Sequence, residues 1–188
     1  MKRRTAIKNT AFFMGGILSA TAMTTIFDSC VAPVEGEVWQ PDFLSVDQGE
    51  IVTRIADILI PATDTAGAVE VLVPQFVDRV ANTLLSKEEQ GFAQKGFQAL
   101  AEACQTATGK SFLKCSEAEQ LAFLQAQEKI AIESETPTLF GALKEMIYQG
   151  YFNSEVGATE VLKYDPVPGN YDGCVPFSEI NGTWATIR

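Results

Sequence analysis

Histidine is missing from all 188 positions of the chain. With it go the usual general base near neutral pH and the commonest transition-metal ligand. A hydrolase built on a Ser/His or Cys/His pair is therefore excluded, and a zinc site would have to be assembled from cysteines and carboxylates alone. Basic residues are scarce as well, fourteen against twenty-four acidic ones for a net charge of −10. That balance argues against nucleic-acid binding, which needs clustered Lys and Arg to neutralise phosphates. Nor does the chain contain a Gly-rich dinucleotide fingerprint after a strand, or a CxxCH motif for covalent haem. Apolar residues, at 46% of the chain, are plentiful enough to form the core of one domain.

The few positive charges are unevenly placed. Lys2, Arg3, Arg4 and Lys8 precede a charge-free stretch from Ala11 to Phe27, the shape of an export signal with a basic start and an apolar middle. Seventeen residues interrupted by Gly15 and Gly16 point to a processed signal rather than a permanent span. Lys2-Arg3-Arg4-Thr5-Ala6-Ile7-Lys8 resembles the twin-arginine export pattern, with Lys2 where Ser or Thr is usual and Ala6 where Phe is usual. Paired basic residues also occur in ordinary secretory signals, so Arg3 and Arg4 are the export-signal candidates under either mechanism. The signal has two candidate ends. Ala20-Thr21-Ala22 is a small-x-small cleavage site, whereas Phe27-Asp28-Ser29-Cys30 looks like a relaxed lipoprotein box that would place a lipid on Cys30. The expected organisation is a signal over 1–29, a tether over 30–44 containing Pro33, Gly36 and Pro41, and a helical domain over 45–188. The segment from Cys30 onward keeps ten basic and twenty-three acidic residues.

Helix punctuation is strong in that domain. Ser45-Val46-Asp47-Gln48 has capping-box spacing, and Ile51, Ile55, Ile58 and Leu59 then recur on one face until Pro61. Pro74 suits the first turn of a second helix carrying Phe76, Val77, Val80, Leu84 and Leu85. Ser86-Lys87-Glu88-Glu89 opens a third helix with Phe92, Phe97, Leu100 and Cys104. Ser116-Glu117-Ala118-Glu119 opens a fourth with Leu121, Phe123, Leu124 and Ile130, and Pro137 announces a fifth with Leu139, Phe140, Leu143, Met146 and Ile147. No strand pattern competes. The fold class is all-α, a small helical bundle followed by a long irregular aromatic segment from about residue 157.

Cys104 and Cys115 flank a turn-like link. They could close a loop of about a dozen residues worth ~3 kcal/mol in the chain-entropy account, or remain two buried thiols. Asp64, between Thr63 and Thr65, suits a helix cap or loop brace rather than catalysis, and Asp57 is placed to pair with Arg54 or Arg79. Tyr148, Tyr151 and Phe152 stand at helical spacing, which ordinarily means core, but their crowding beside Asn153, Ser154 and Glu155 also suits a partner-facing patch. Tyr164, Tyr171, Phe177 and Trp184 lie among Pro166, Pro168, Gly169, Gly173, Pro176 and Gly182, so that segment is not a regular helix. Its aromatics either pack back on the bundle or lie across a partner as a clasp.

Two longer runs carry a family resemblance. Arg54-Ile55-Ala56-Asp57-Ile58-Leu59-Ile60-Pro61-Ala62-Thr63-Asp64-Thr65-Ala66-Gly67-Ala68, followed by Val73-Pro74-Gln75-Phe76-Val77-Asp78, resembles the front motif of the small third subunit of membrane-associated gluconate 2-dehydrogenase. Met146 to Gly157, continued by Tyr164-Asp165-Pro166-Val167-Pro168-Gly169, resembles that family's back motif. Ala66 departs from it, standing where the family often has Pro. The resemblance implies a non-catalytic subunit that binds no cofactor itself. Its partners would be a large FAD-dependent dehydrogenase of the glucose/methanol/choline type, a cytochrome c subunit in some complexes, and the twin-arginine machinery that exports the folded flavoprotein on this chain's signal. The expected location is periplasmic, anchored to the membrane through Cys30. Thr63, Asp64, Thr65, Tyr148, Tyr151, Phe152, Tyr164, Tyr171 and Trp184 are the partner-contact candidates, with no catalytic or metal residue assigned. The alternative is a stand-alone periplasmic lipoprotein that binds a small molecule.

Overall fold

The computed structural model describes residues 39–163 together with 167, 169, 174, 176, 178 and 182–184. Arg3, Arg4, Cys30, Tyr164 and Tyr171 lie outside the described residues. Five α-helices run in order within them: α1 (Val46–Leu59), α2 (Val73–Thr83), α3 (Lys87–Thr108), α4 (Glu117–Glu133) and α5 (Leu139–Phe152). A 3₁₀ turn, Phe112–Lys114, leads into α4, and a π-helical turn, Gly157–Val161, follows α5. Among the described residues there is no strand, only an isolated parallel bridge between Lys163 and Trp184, and no helix is long and apolar enough to cross a membrane.

Three helix starts follow from four-residue sequence signals. Ser45, Ser86 and Ser116 each cap the N–H three positions on, while Gln48, Glu89 and Glu119 reach back to the capping residue's own N–H. Each reciprocal pair satisfies two otherwise orphaned donors, and losing the serine costs about 1 kcal/mol. α2 starts differently. Leu72 ahead of it is left-handed and offers no side-chain cap, but Pro74 has no N–H to satisfy. Its end also differs from expectation: α2 stops at Thr83 because the chain must turn before the Ser86 cap, leaving Leu84 75% exposed.

α5 is the hub, packing against α1, α2, α3 and α4. Its Leu143, Ile147 and Tyr151 meet Val52, Ile55 and Ala56 of α1, Val73 and Val77 of α2, Phe97 and Leu100 of α3, and Phe123 and Leu124 of α4 in one continuous core. Close approach to α2 depends on Gly150, where an added Cβ would stand 2.7 Å from the Phe76 ring. On the other side of the core, the Arg54 guanidinium ties α1 to α4. It reaches Asp57 at 2.6 Å, Glu117 at 2.9 Å and the Gln120 amide oxygen at 2.8 Å. Gln120 in turn donates to the Phe112 carbonyl at 2.9 Å.

Candidate functional site

The front loop between α1 and α2 is held from both ends. The Ala68 N–H donates to the Ile60 carbonyl at 3.0 Å, and the Gly67 N–H donates to the Glu70 carboxylate at 2.9 Å. Glu70, not Asp64, supplies the brace, because its carboxylate lies over the N–H that the turn leaves open. Asp64 and Thr63 are exposed and Thr65 is half-buried. Tyr151 crosses from α5 and donates its hydroxyl to the Ala66 carbonyl at 2.8 Å. At 3% exposure, it is a core side chain that fastens the loop to the hub and leaves almost no surface of its own for a partner. Burying its ring requires the hydroxyl to find an acceptor, which the loop provides.

Beside it, Phe152 is 38% exposed and meets the Tyr151 ring edge-on at 5.4 Å. Tyr148 lies 6.4 Å from Phe152 and beneath the Lys144 ammonium at 5.7 Å. Lys144 also pairs with Glu128, whose carboxylate pushes the ammonium pKa up. Tyr148 and Phe152 thus form a small aromatic patch with a cation fixed at its edge. At the far end, the Lys163 N–H donates to the Thr183 carbonyl at 2.8 Å and the Lys163 ammonium lies 5.5 Å from the centre of the Trp184 ring. Trp184 therefore turns back onto the end of the π-helical turn.

One almost wholly apolar recess was not foreseen from sequence. A groove of about 530 Å³ runs between α2, α3 and α5, floored by Val77, Ala81, Phe97, Leu139 and Leu143 and walled by Phe43, Leu85, Phe92 and Met146. Phe92, expected in the core, is 43% exposed on its wall. Phe43 and Leu44 reach the groove because Asp78 of α2 gathers the chain ahead of α1. Its buried carboxylate accepts the N–H of Asp42 at 2.8 Å, Phe43 at 3.1 Å and Leu44 at 2.9 Å. The charge of Asp78 is thereby spent on backbone donors, which is a structural use and not a catalytic one.

Two carboxylates, Glu89 and Glu145, mark the rim of this groove. Hydrogen bonds from the Ser86 hydroxyl and N–H lower the Glu89 pKa, and Gln149 donates to Glu145 at 2.9 Å. Among the described residues neither pairs with a basic side chain, so the rim is acidic. A second cleft of about 840 Å³ between α1, α3 and the 3₁₀ turn is more polar, with Asp47, Glu50 and Glu102 in its lining. In the first turn of α4, the Glu119 pKa is held down to about 2 by the Ser116 N–H, the Lys110 ammonium and the Ser116 hydroxyl. No group of three or more Cys, Asp or Glu side chains suited to a metal ion occurs among the described residues. The groove's chemistry is that of apolar contact with an acidic border.

Comparison with curated proteins and with solved structures gives no match. Comparison with protein families gives one over residues 46–169, to the family described as gluconate 2-dehydrogenase subunit 3. The matched span contains all five α-helices, the front loop, Asp78 and every groove residue from α2 to α5. On that extent of agreement, the chain belongs to the gluconate 2-dehydrogenase subunit 3 family, whose members are components of a dehydrogenase complex.

Proposed function

We propose that this chain is a non-catalytic accessory subunit of a periplasmic FAD-dependent sugar or polyol dehydrogenase, one that holds the flavoprotein and carries it through export. The observation that supports it best is the open apolar groove on a domain whose own core is already closed by α5. Apolar recesses of this kind are sites of association. The groove commits to a particular occupant: a segment of the large flavoprotein subunit that offers two or three apolar side chains flanked by Lys or Arg. The basic flanks follow from Glu89 and Glu145 at the rim and from the excess of acid in the whole chain.

The same rim speaks against flavin binding here. A dinucleotide's pyrophosphate needs backbone donors or basic side chains, and Glu89 and Glu145 would repel it. On this reading FAD is carried by the partner, and electrons pass through the partner and, where present, a cytochrome c subunit. Arg3 and Arg4 supply the twin-arginine signal, and Cys30 carries the lipid that keeps the assembly on the membrane.

The groove is tested by co-purifying the flavoprotein with variants of this chain. Phe92 is 43% exposed, so Phe92→Asp should leave the helical fold intact with only a modest fall in melting temperature. It should weaken the complex about 30-fold, the scale of a central aromatic contact. Unchanged affinity in a folded Phe92→Asp protein would remove the groove from the interface. A small molecule retained by the lone wild-type chain, with no flavoprotein bound, would favour a stand-alone binding module instead.

A further inference from the structure

Cys104 closes the last turns of α3 and Cys115 stands directly before the Ser116 cap of α4, eleven positions on. Both thiols are buried, at 0% and 8% exposure, and their sulfurs are 4.0 Å apart. The chain between them is shaped to bring them together. Gly109 takes the left-handed conformation that ends α3, and the 3₁₀ turn buries Phe112 against Phe123 with ring centres 6.1 Å apart. Gln120 holds the Phe112 carbonyl from α4, and Lys110 pairs with Glu119 at 3.0 Å across the mouth of the loop. Thr108 sits beside both sulfurs, 3.8 Å from Cys104 and 3.4 Å from Cys115. Among the described residues, no other side chain hydrogen-bonds either thiol.

We infer that Cys104 and Cys115 are a covalent cross-link site, joined as a disulfide when the chain folds under oxidising conditions and pinning the end of α3 to the start of α4. Both thiols are free in the structure, and a bonded pair needs the sulfurs only about 2 Å closer than they stand. The oxidant is a disulfide, of a small thiol or of a protein. The Cys115 thiolate, on the less buried side, attacks one sulfur of that disulfide and expels the other as a thiolate. The Cys104 thiolate then attacks the Cys115 sulfur and expels the second. The oxidant takes up both electrons and the two protons the cysteines release, leaving as two thiols. Once the loop is packed, burial holds the Cys104 thiol pKa up and shields the pair, so the bond forms during folding and is slow to exchange afterwards.

The test uses the purified chain unfolded in denaturant and refolded in oxidised glutathione, then alkylated under denaturing conditions and mapped by mass spectrometry. The expected result is a peptide linking residues 104 and 115, with a melting temperature that falls by several degrees on adding dithiothreitol. In Cys115→Ser, whose hydroxyl occupies the same space, the protein should fold and its melting temperature should no longer respond to dithiothreitol. Alkylation of both Cys104 and Cys115 after oxidative refolding would overturn the inference. So would a bridge from either one to Cys174, or a reductant-sensitive melting temperature that persists in Cys115→Ser.

Discussion

Replacing Asp78 with alanine is expected to destabilise the domain by about 3–5 kcal/mol, the scale of removing one partner from a buried, hydrogen-bonded charge. In a domain of this size that is about 10 °C in melting temperature, read by thermal and denaturant unfolding. Three buried or half-buried N–H groups, on Asp42, Phe43 and Leu44, would lose their acceptor together. Asp78→Asn keeps one oxygen for Phe43 and Leu44 but turns an amide N–H toward Asp42, so its loss should fall between wild type and alanine. If the groove holds the flavoprotein as proposed, the alanine variant should also release it, because Phe43 and Leu44 line the groove. Equal stability of Asp78→Ala and wild type would show that the segment ahead of α1 is held by something else.

Export gives the second large effect. With Arg3 and Arg4 both changed to lysine, the proposed escort role predicts that this chain and its flavoprotein stay in the cytoplasm, measured by fractionation and by flavin-dependent dehydrogenase activity in the periplasm. Lysine preserves the charge that an ordinary secretory signal needs, so the double substitution separates the two mechanisms. Normal delivery of both proteins would leave the helical domain without an escort function. Normal delivery of this chain alone, with the flavoprotein left behind, would show that the chain can also leave by an ordinary secretory route while the flavoprotein's export depends on the paired arginines.

The sequence made the local parts of the fold legible and hid the long-range ones. Three Ser-to-Gln or Ser-to-Glu capping boxes could be read because each is completed within four residues, and Pro74 marked the start of α2 to within one position. The Asp57 pairing was also visible, three residues from Arg54. The Asp78 cradle was not, since its donors lie 34 to 36 positions away. Helical spacing grouped Tyr148, Tyr151 and Phe152 but could not divide them. Tyr151 turned inward because a carbonyl 85 positions earlier accepts its hydroxyl. The groove was hidden for the same reason: Phe92 reads as a core position in its own helix, and only the packing of α2 and α5 shows that it borders an open recess. What could have drawn attention to it is the pairing of Phe92 with Glu89 one turn earlier, an apolar wall with an acidic rim.

A helical subunit that holds a flavoprotein without sharing its chemistry is tested most directly by isolating the tagged chain, under mild conditions, from cells that make it naturally. The preparation would be read for flavin absorbance, polypeptide composition and turnover before and after the components are separated. The account predicts a second, larger polypeptide that carries all the flavin and keeps dehydrogenase activity after this chain is removed, while the isolated chain has neither. Flavin or turnover travelling with the isolated chain would contradict it.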